Sequence, residues 1–110
     1  MKNEFTSFDI ARALDIPMER LRQWMKHGFI TPSIPASGQG TKAVFTLDDL
    51  CIVEIFNRLI ACGLNRHAAS KICKSVQIDN DVFIMDVSDL ASIAINIKSA
   101  KNYVHERVEE

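Results

Sequence analysis

Long apolar runs, paired cysteines and net charge are all scarce in this 110-residue chain, whose formal charge is −1. No run approaches the length a bilayer-spanning helix needs, and Lys2–Glu4 is followed by no apolar core of a secretory signal. Residence in the cytoplasm, away from any membrane, is the expectation. Cys51, Cys62 and Cys73 form no close pair, which argues against both a disulfide framework and a Cys-x-x-Cys metal site. Their regular spacing would align them only if one helix ran unbroken through Gly63, so they are expected to be buried and reduced, with Met18 and Met25 as core. The stretch "SGQG" lacks the Lys-Ser/Thr ending of a phosphate loop, and no Ser/His/Asp or Cys/His arrangement is present. No enzymatic activity, cofactor or metal is expected, and no internal repeat or low-complexity segment interrupts the chain.

What is present is ordinary globular composition, with 47% hydrophobic and 25% charged residues, enough to build one compact domain with a small C-terminal annex. The near-zero total hides an uneven distribution. From Arg12 to Lys74 nine basic residues face five acidic ones, a balance of +4; from Val76 onward three basic face seven acidic, a balance of −4. A cationic first part with an acidic tail separates a surface suited to a polyanion from one that is not.

"FTSFDIARAL" predicts a helix from Ser7 to Leu14, with Thr6 as N-cap, Asp9 as its capping-box partner and Phe5 stapled onto Ile10. "DIP" breaks it, and a second helix is predicted over residues 17–27 with Met18, Leu21, Met25 and Gly28 as its buried stripe. Glu19, Arg20, Gln23, Lys26 and His27 fall on the opposite arc, with Arg22 and Trp24 on its shoulders. Two short helices with a tight break, the second basic, are helix-turn-helix organisation. Residues 29–31 and 43–45 have strand composition and enclose a loop rich in turn residues, which predicts a hairpin with a glycine-containing tip. Thr46 and Asp49 cap a long helix from Leu47 to Cys62, with Leu50, Val53, Phe56, Leu59 and Ile60 buried; Asn65 caps a shorter one ending near Ser75. In the tail, residues 82–87 and 91–97 read as a second hairpin turning at Ser88-Asp89. The rival is one helix from Ser88, but β-branched density favours strands. A last helix follows over 98–108.

A helix that reads DNA enters the major groove with hydrogen-bonding side chains outward and cationic edges against the phosphates. Arg20, Gln23, Lys26, His27 and the flanking Arg22 meet that need, and Trp24 can lay its ring on the sugar-phosphate rim. Gln39, Thr41 and Lys42 in the following hairpin can donate to phosphate, and Arg12 on the first helix adds a further cation. A polar outer face alone is more often solvated surface. The ordered set of capped helix, break, basic helix and glycine-containing hairpin raises the binding reading above that base.

Residues 5–75 resemble the winged helix-turn-helix DNA-binding domain of the MerR family of transcription regulators. "FTSFDIARALDIPMERLRQWMKHGFITP" is similar to that family's opening, "GTKAVFTLDDL" to the wing's second strand and the capped helix after it, and "LIACGLNRHAASKI" to the following helix pair. By this resemblance Arg22 falls on the arginine of the recognition-helix motif, and Gln23 and Trp24 on its two aromatic positions. Gln23 departs, exchanging a phosphate contact for an amide able to read a base. Ala43 stands in the wing's usual arginine slot, so adjacent Lys42 is expected to hold the phosphate. The implied fold is mainly α with small β-hairpins: a winged helix-turn-helix over 1–75, then a hairpin and helix over 76–110 that form the dimerisation segment. Its apolar residues Phe83, Ile84, Ile93, Ile95, Val104 and Val108 exceed what so short a piece can bury alone. The implied function is a transcriptional regulator that binds double-stranded DNA as a homodimer, with helix 17–27 in the major groove and wing 31–45 on the backbone. The tail is too short for the family's separate effector domain, so no small-molecule effector is expected. An excisionase-like DNA-bending factor and a protein-interaction adaptor that has lost DNA are the alternatives.

Overall fold

The computed structural model of the protein describes residues 3–38 and 40–108; the expected wing contact Gln39 lies outside the described residues. Its elements are α1 (Ser7–Leu14), α2 (Met18–Lys26), α3 (Leu47–Ala61), α4 (Arg66–Ser75), β1 (Val82–Ser88), β2 (Ala91–Asn96) and α5 (Ile97–Val108). Among the described residues the fold is mainly helical, with one two-stranded antiparallel sheet in the tail.

The same capping device starts α1 and α3. Thr6 Oγ1 accepts from the Asp9 N–H while the Asp9 carboxylate accepts from the Thr6 N–H, and Thr46 and Asp49 repeat the exchange. Each box satisfies backbone donors that the first helical turn leaves open. Asp49 also accepts from the N–H and hydroxyl of Ser33, at 3.0 and 2.6 Å, which ties the loop after α2 to the start of α3. Asn65 caps α4 through the Ala68 N–H, and Asn96 accepts from the Ser99 N–H at the start of α5.

One core runs through all five helices. Ile10 and Leu14 of α1, Leu21 and Trp24 of α2, Leu50, Val53 and Phe56 of α3, Ala69 and Ile72 of α4, and Ile97 and Val104 of α5 are buried together. The stripe expected on α2 is displaced. Leu21 and Trp24 are its buried residues, whereas Met18 and Met25 are half-buried at the margins. The aromatic side chains explain the shift: Trp24 meets Phe56 edge-on at 4.8 Å, and Phe29 stacks on Phe56 at 6.1 Å. An indole covers far more apolar surface than a thioether, so the helix turns toward it.

The first hairpin is not formed as expected. Phe29–Thr31 make no strand, because the Phe29 and Ile30 N–H groups turn back to the Trp24 carbonyl and close the end of α2. Gly28, with φ of +74°, permits that reversal. The segment that follows is a loop held by one bridge, Ile34 to Val44, while Phe45 bridges to Phe5. Pro32 and Pro35 offer no N–H for a longer ladder.

The tail hairpin does form. Phe83 pairs with Ile95 and Met85 with Ile93 on the face toward the core; Val82 and Ile84 point the other way, opposite Asn96 and Ala94. Ile97, expected to end the second strand, instead opens α5, where the Lys98 N–H donates to the Asp81 carbonyl. Ile95 and Val104, expected on a dimer face, are buried in the chain's own core. Of the residues expected there Ile84 is exposed, joined by Val82, Val87 and Leu90. α5 packs on α3 and α1, and Arg107 donates to the Ala13 carbonyl.

The cysteines divide. Cys51 and Cys73 are buried and their thiols are pushed up to about 11 and about 12, both by desolvation and Cys51 further by the nearby Asp48 charge. Cys62, expected to be buried with them, is exposed because it lies just past the last turn of α3. A thiol reagent at pH 8 should therefore modify Cys62 quickly and leave the other two intact until the protein unfolds. Equal rates for all three would contradict the packing.

Glu54 is the other buried ionisable group of α3. Burial raises its pKa, and its hydrogen bond to Arg58 opposes that rise in part. With the folded value above the unfolded one, the proton it binds stabilises the fold at low pH, and that contribution is lost as pH rises through the folded value. Glu54→Gln should remove this dependence, so the wild type should compare more favourably with the variant in urea melts at pH 5 than at pH 7. A difference unaffected by pH would mean that Glu54 titrates as it does in the unfolded chain.

Candidate nucleic-acid interface

α2 offers two arcs to solvent. Arg20, Gln23 and His27 recur at three- and four-residue intervals on one; Arg22 and Lys26, a turn apart, are exposed on the next. The first arc faces the start of α4 across an open groove of about 830 Å³. Asn65, Arg66 and His67 line the far wall, and Trp24 and Phe29 contribute to the floor. The groove joins two guanidinium groups to the N-terminus of α4, whose backbone dipole favours an anion. Glu19, which accepts a long 3.4 Å hydrogen bond from Gln23, is the acidic group among the lining residues.

Phe29 organises the near end. The ring of His67 stands edge-on to it at 5.1 Å and that of His27 lies at 5.8 Å, so histidines from two helices flank one phenyl group. Ser70 of α4 donates to the Phe29 carbonyl, fixing α4 against the exit from α2. Arg66, His67 and Asn65 were not singled out from the sequence as contacts. Asn65 carries a capping signal and Arg66 stands at a predicted helix start, but their approach to α2 depends on contacts between residues far apart in the chain, such as those of Phe29 with His67 and with Ser70, the latter 41 positions away.

The remaining expected contacts are placed differently. Trp24 is 1% exposed, so its ring cannot lie on a sugar-phosphate rim; that expectation is corrected, because the ring is taken up by Phe56. Its Nε1 is buried with no hydrogen-bond partner among the described residues. Arg12 pairs with Asp9 at 2.9 Å and lines a separate depression with Glu106 and Arg107 between α1 and α5. Lys42 lies in the loop with its Nζ 6.0 Å from the centre of the exposed Phe8 ring, so the loop reaches across α1. The Thr41 hydroxyl donates to the Gly38 carbonyl and accepts from the Ser37 N–H, which commits it to the loop's own turn.

A family model described as "MerR HTH family regulatory protein" matches residues 5–76. The chain belongs to the MerR HTH family. The match spans α1 through α4 and ends one residue after α4, so the family's regulatory helix-turn-helix is the part that carries the groove. The tail hairpin and α5 lie beyond it. No curated protein matches the chain. The family is one of regulatory proteins and is typically non-enzymatic. Among the described residues, no helix is long and apolar enough to cross a membrane, and no group of three His, Cys, Asp or Glu is placed to hold a metal ion.

Burial of Trp24 separates a packing role from a contact role. Trp24→Ala should lower unfolding stability by about 3–5 kcal/mol, the cost of a large aromatic removed from a packed core. Trp24→Phe should recover part of that loss. Since Trp24 is the sole tryptophan, its fluorescence should start blue-shifted and move red on denaturation. A Trp24→Ala protein of wild-type stability would restore the surface role that the structure withdraws.

Proposed function

We propose that the protein is a cytoplasmic transcriptional regulator that binds double-stranded DNA. The observation carrying this reading is the groove between α2 and α4, in which Arg20, Gln23 and His27 stand opposite Arg66 and His67. In this reading α2 enters the major groove and presents Gln23, with Arg22 and Lys26, to base edges and the nearer phosphates. Arg20, Arg66 and the start of α4 hold the phosphodiester chain alongside. The 31–45 loop, through Lys42 above Phe8, holds the backbone on another side. His27 and His67 add further ring N–H donors at the same groove. Membership of the MerR HTH family supports the assignment.

One short helix spans too few base pairs for selective binding, so the functional unit is a homodimer on a two-fold site, joined through residues 76–110. Engagement of about four phosphates per subunit should make log affinity fall with log salt at a slope of about −7. Arg20→Ala and Arg66→Ala should each weaken binding to all sequences and reduce that slope by about one. Gln23→Ala should instead relax base preference, with about 1–3 kcal/mol of discrimination lost at one position. Selection of duplexes from a random pool, followed by salt titration, tests these together. No association with random or genomic duplexes, or a slope near zero, would reject DNA binding.

A further inference from the structure

Leu90, at the turn of the tail hairpin, is 96% exposed. It sits at the end of a projecting acidic ribbon: Asp79, Asp81, Asp86 and Asp89 occur between Val76 and Ile97, and no Lys or Arg does. Val82, Ile84 and Val87 are also more than half exposed along that ribbon. A hairpin with this much uncovered apolar surface is built to be covered.

A matching surface exists at the hairpin's base. A groove of about 420 Å³ opens between α3, β2 and α5, with Ile55, Leu59, Ile95 and Ala100 among its apolar lining. Arg58 stands at its lip, ion-paired with the buried Glu54 while its own side chain stays 61% exposed. The Arg58 guanidinium lies 4.8 Å from the centre of the Tyr103 ring, and Arg107, from the neighbouring depression between α1 and α5, approaches the same ring at 4.5 Å. Cys62 is exposed at the same groove.

We propose that Leu90 of each subunit seats in the groove between α3, β2 and α5 of a second copy, the two hairpins lying antiparallel about a two-fold axis. This rests on the homodimer reading and specifies its interface. Six residues of strand separate Leu90 from Asn96, a reach of about 20 Å. Antiparallel hairpins therefore bring each tip to the other's base, and one rotation makes both contacts at once. Charge favours the same arrangement. Tip-to-tip or parallel packing would bring like aspartates together, whereas the antiparallel one moves Asp86 and Asp89 away from their own kind and toward the exposed guanidinium at the lip of the other copy's groove. The outward residues Val82 and Ile84 then line the seam between the two ribbons.

The full-length chain provides the test. Leu90→Cys, oxidised under mild conditions, should give a disulfide-linked dimer on a non-reducing gel, by pairing with the partner's Cys62, whereas the wild type, with Cys62 as its exposed cysteine, should give none. Adding Cys62→Ser should abolish it. Leu90→Asp, which alters a solvent-exposed position and should keep the wild-type circular dichroism, should weaken dimerisation at least about tenfold by sedimentation equilibrium. A dimeric wild type whose Leu90→Asp variant dimerises equally well would overturn the interface and leave the homodimer standing. Cross-linking of Leu90→Cys that persists with Cys62→Ser would mean that tips meet tips, and would overturn it too. A wild type that is monomeric at the highest concentrations reached would end both the interface and the homodimer.

Discussion

The indole of Trp24 meets the Phe56 ring edge-on at 4.8 Å, and Phe29 stacks on that same Phe56 at 6.1 Å. This cluster joins α2, the exit from α2 and α3 in one contact. Through His67 against Phe29, and Ser70 on the Phe29 carbonyl, it reaches α4 as well. An aromatic pair adds an orientation-dependent attraction to the area it buries, so it sets helix angles as well as helix spacing. With Trp24 inward, the arc bearing Arg20, Gln23 and His27 must face outward toward Arg66. The groove proposed to hold DNA is the outer side of that inner packing.

α3 links this head to the tail. Its early residues Leu50 and Val53 lie in the core, while Glu54, Ile55, Arg58 and Leu59 line the groove below α5 and β2. Two charged surfaces thus lie apart: a groove with Arg20 and Arg66 on the α2–α4 side, and an acidic hairpin ahead of α5. Near neutrality in total charge conceals this separation. A long-range field would be weak, so the binding proposed at each surface would depend on short-range contacts within about a Debye length.

Legibility of the fold from the sequence varied with the range of the interaction involved. The capping boxes at Thr6–Asp9 and Thr46–Asp49, and the Asn65 cap, act within three residues and were readable. The tail hairpin over 82–88 and 91–96 was readable from alternation and β-branching, against a helical rival that satisfied the same spacing. Paired strands in the wing do not follow from composition: Phe29 and Ile30 have strand composition, but their N–H groups serve the end of α2. Periodicity puts Trp24 on a shoulder because it ranks a methionine and a tryptophan alike. Which of them turns inward depends on whether Phe56 waits on α3. The tail's apolar residues were seen, but not which of them the chain buries for itself, since Ile95 and Val104 answer to α3 and α1 rather than to their own strand or helix.

By itself the sequence determined where helices begin, where glycine and proline end them, and that a basic helix follows a capped one with an acidic segment at the far end. Those are properties of neighbouring residues, and their energies are settled within a turn or two. The family resemblance over the head was legible for the same reason, because its motifs are local. Tertiary structure alone decided that Arg66 and His67 share a groove with Arg20 and His27, that Trp24 is core, and that Leu90 is left bare above an acidic ribbon. Each of these depends on side chains far apart in the chain competing for the same space. Such competition is resolved by packing volume and reach, which no local pattern records.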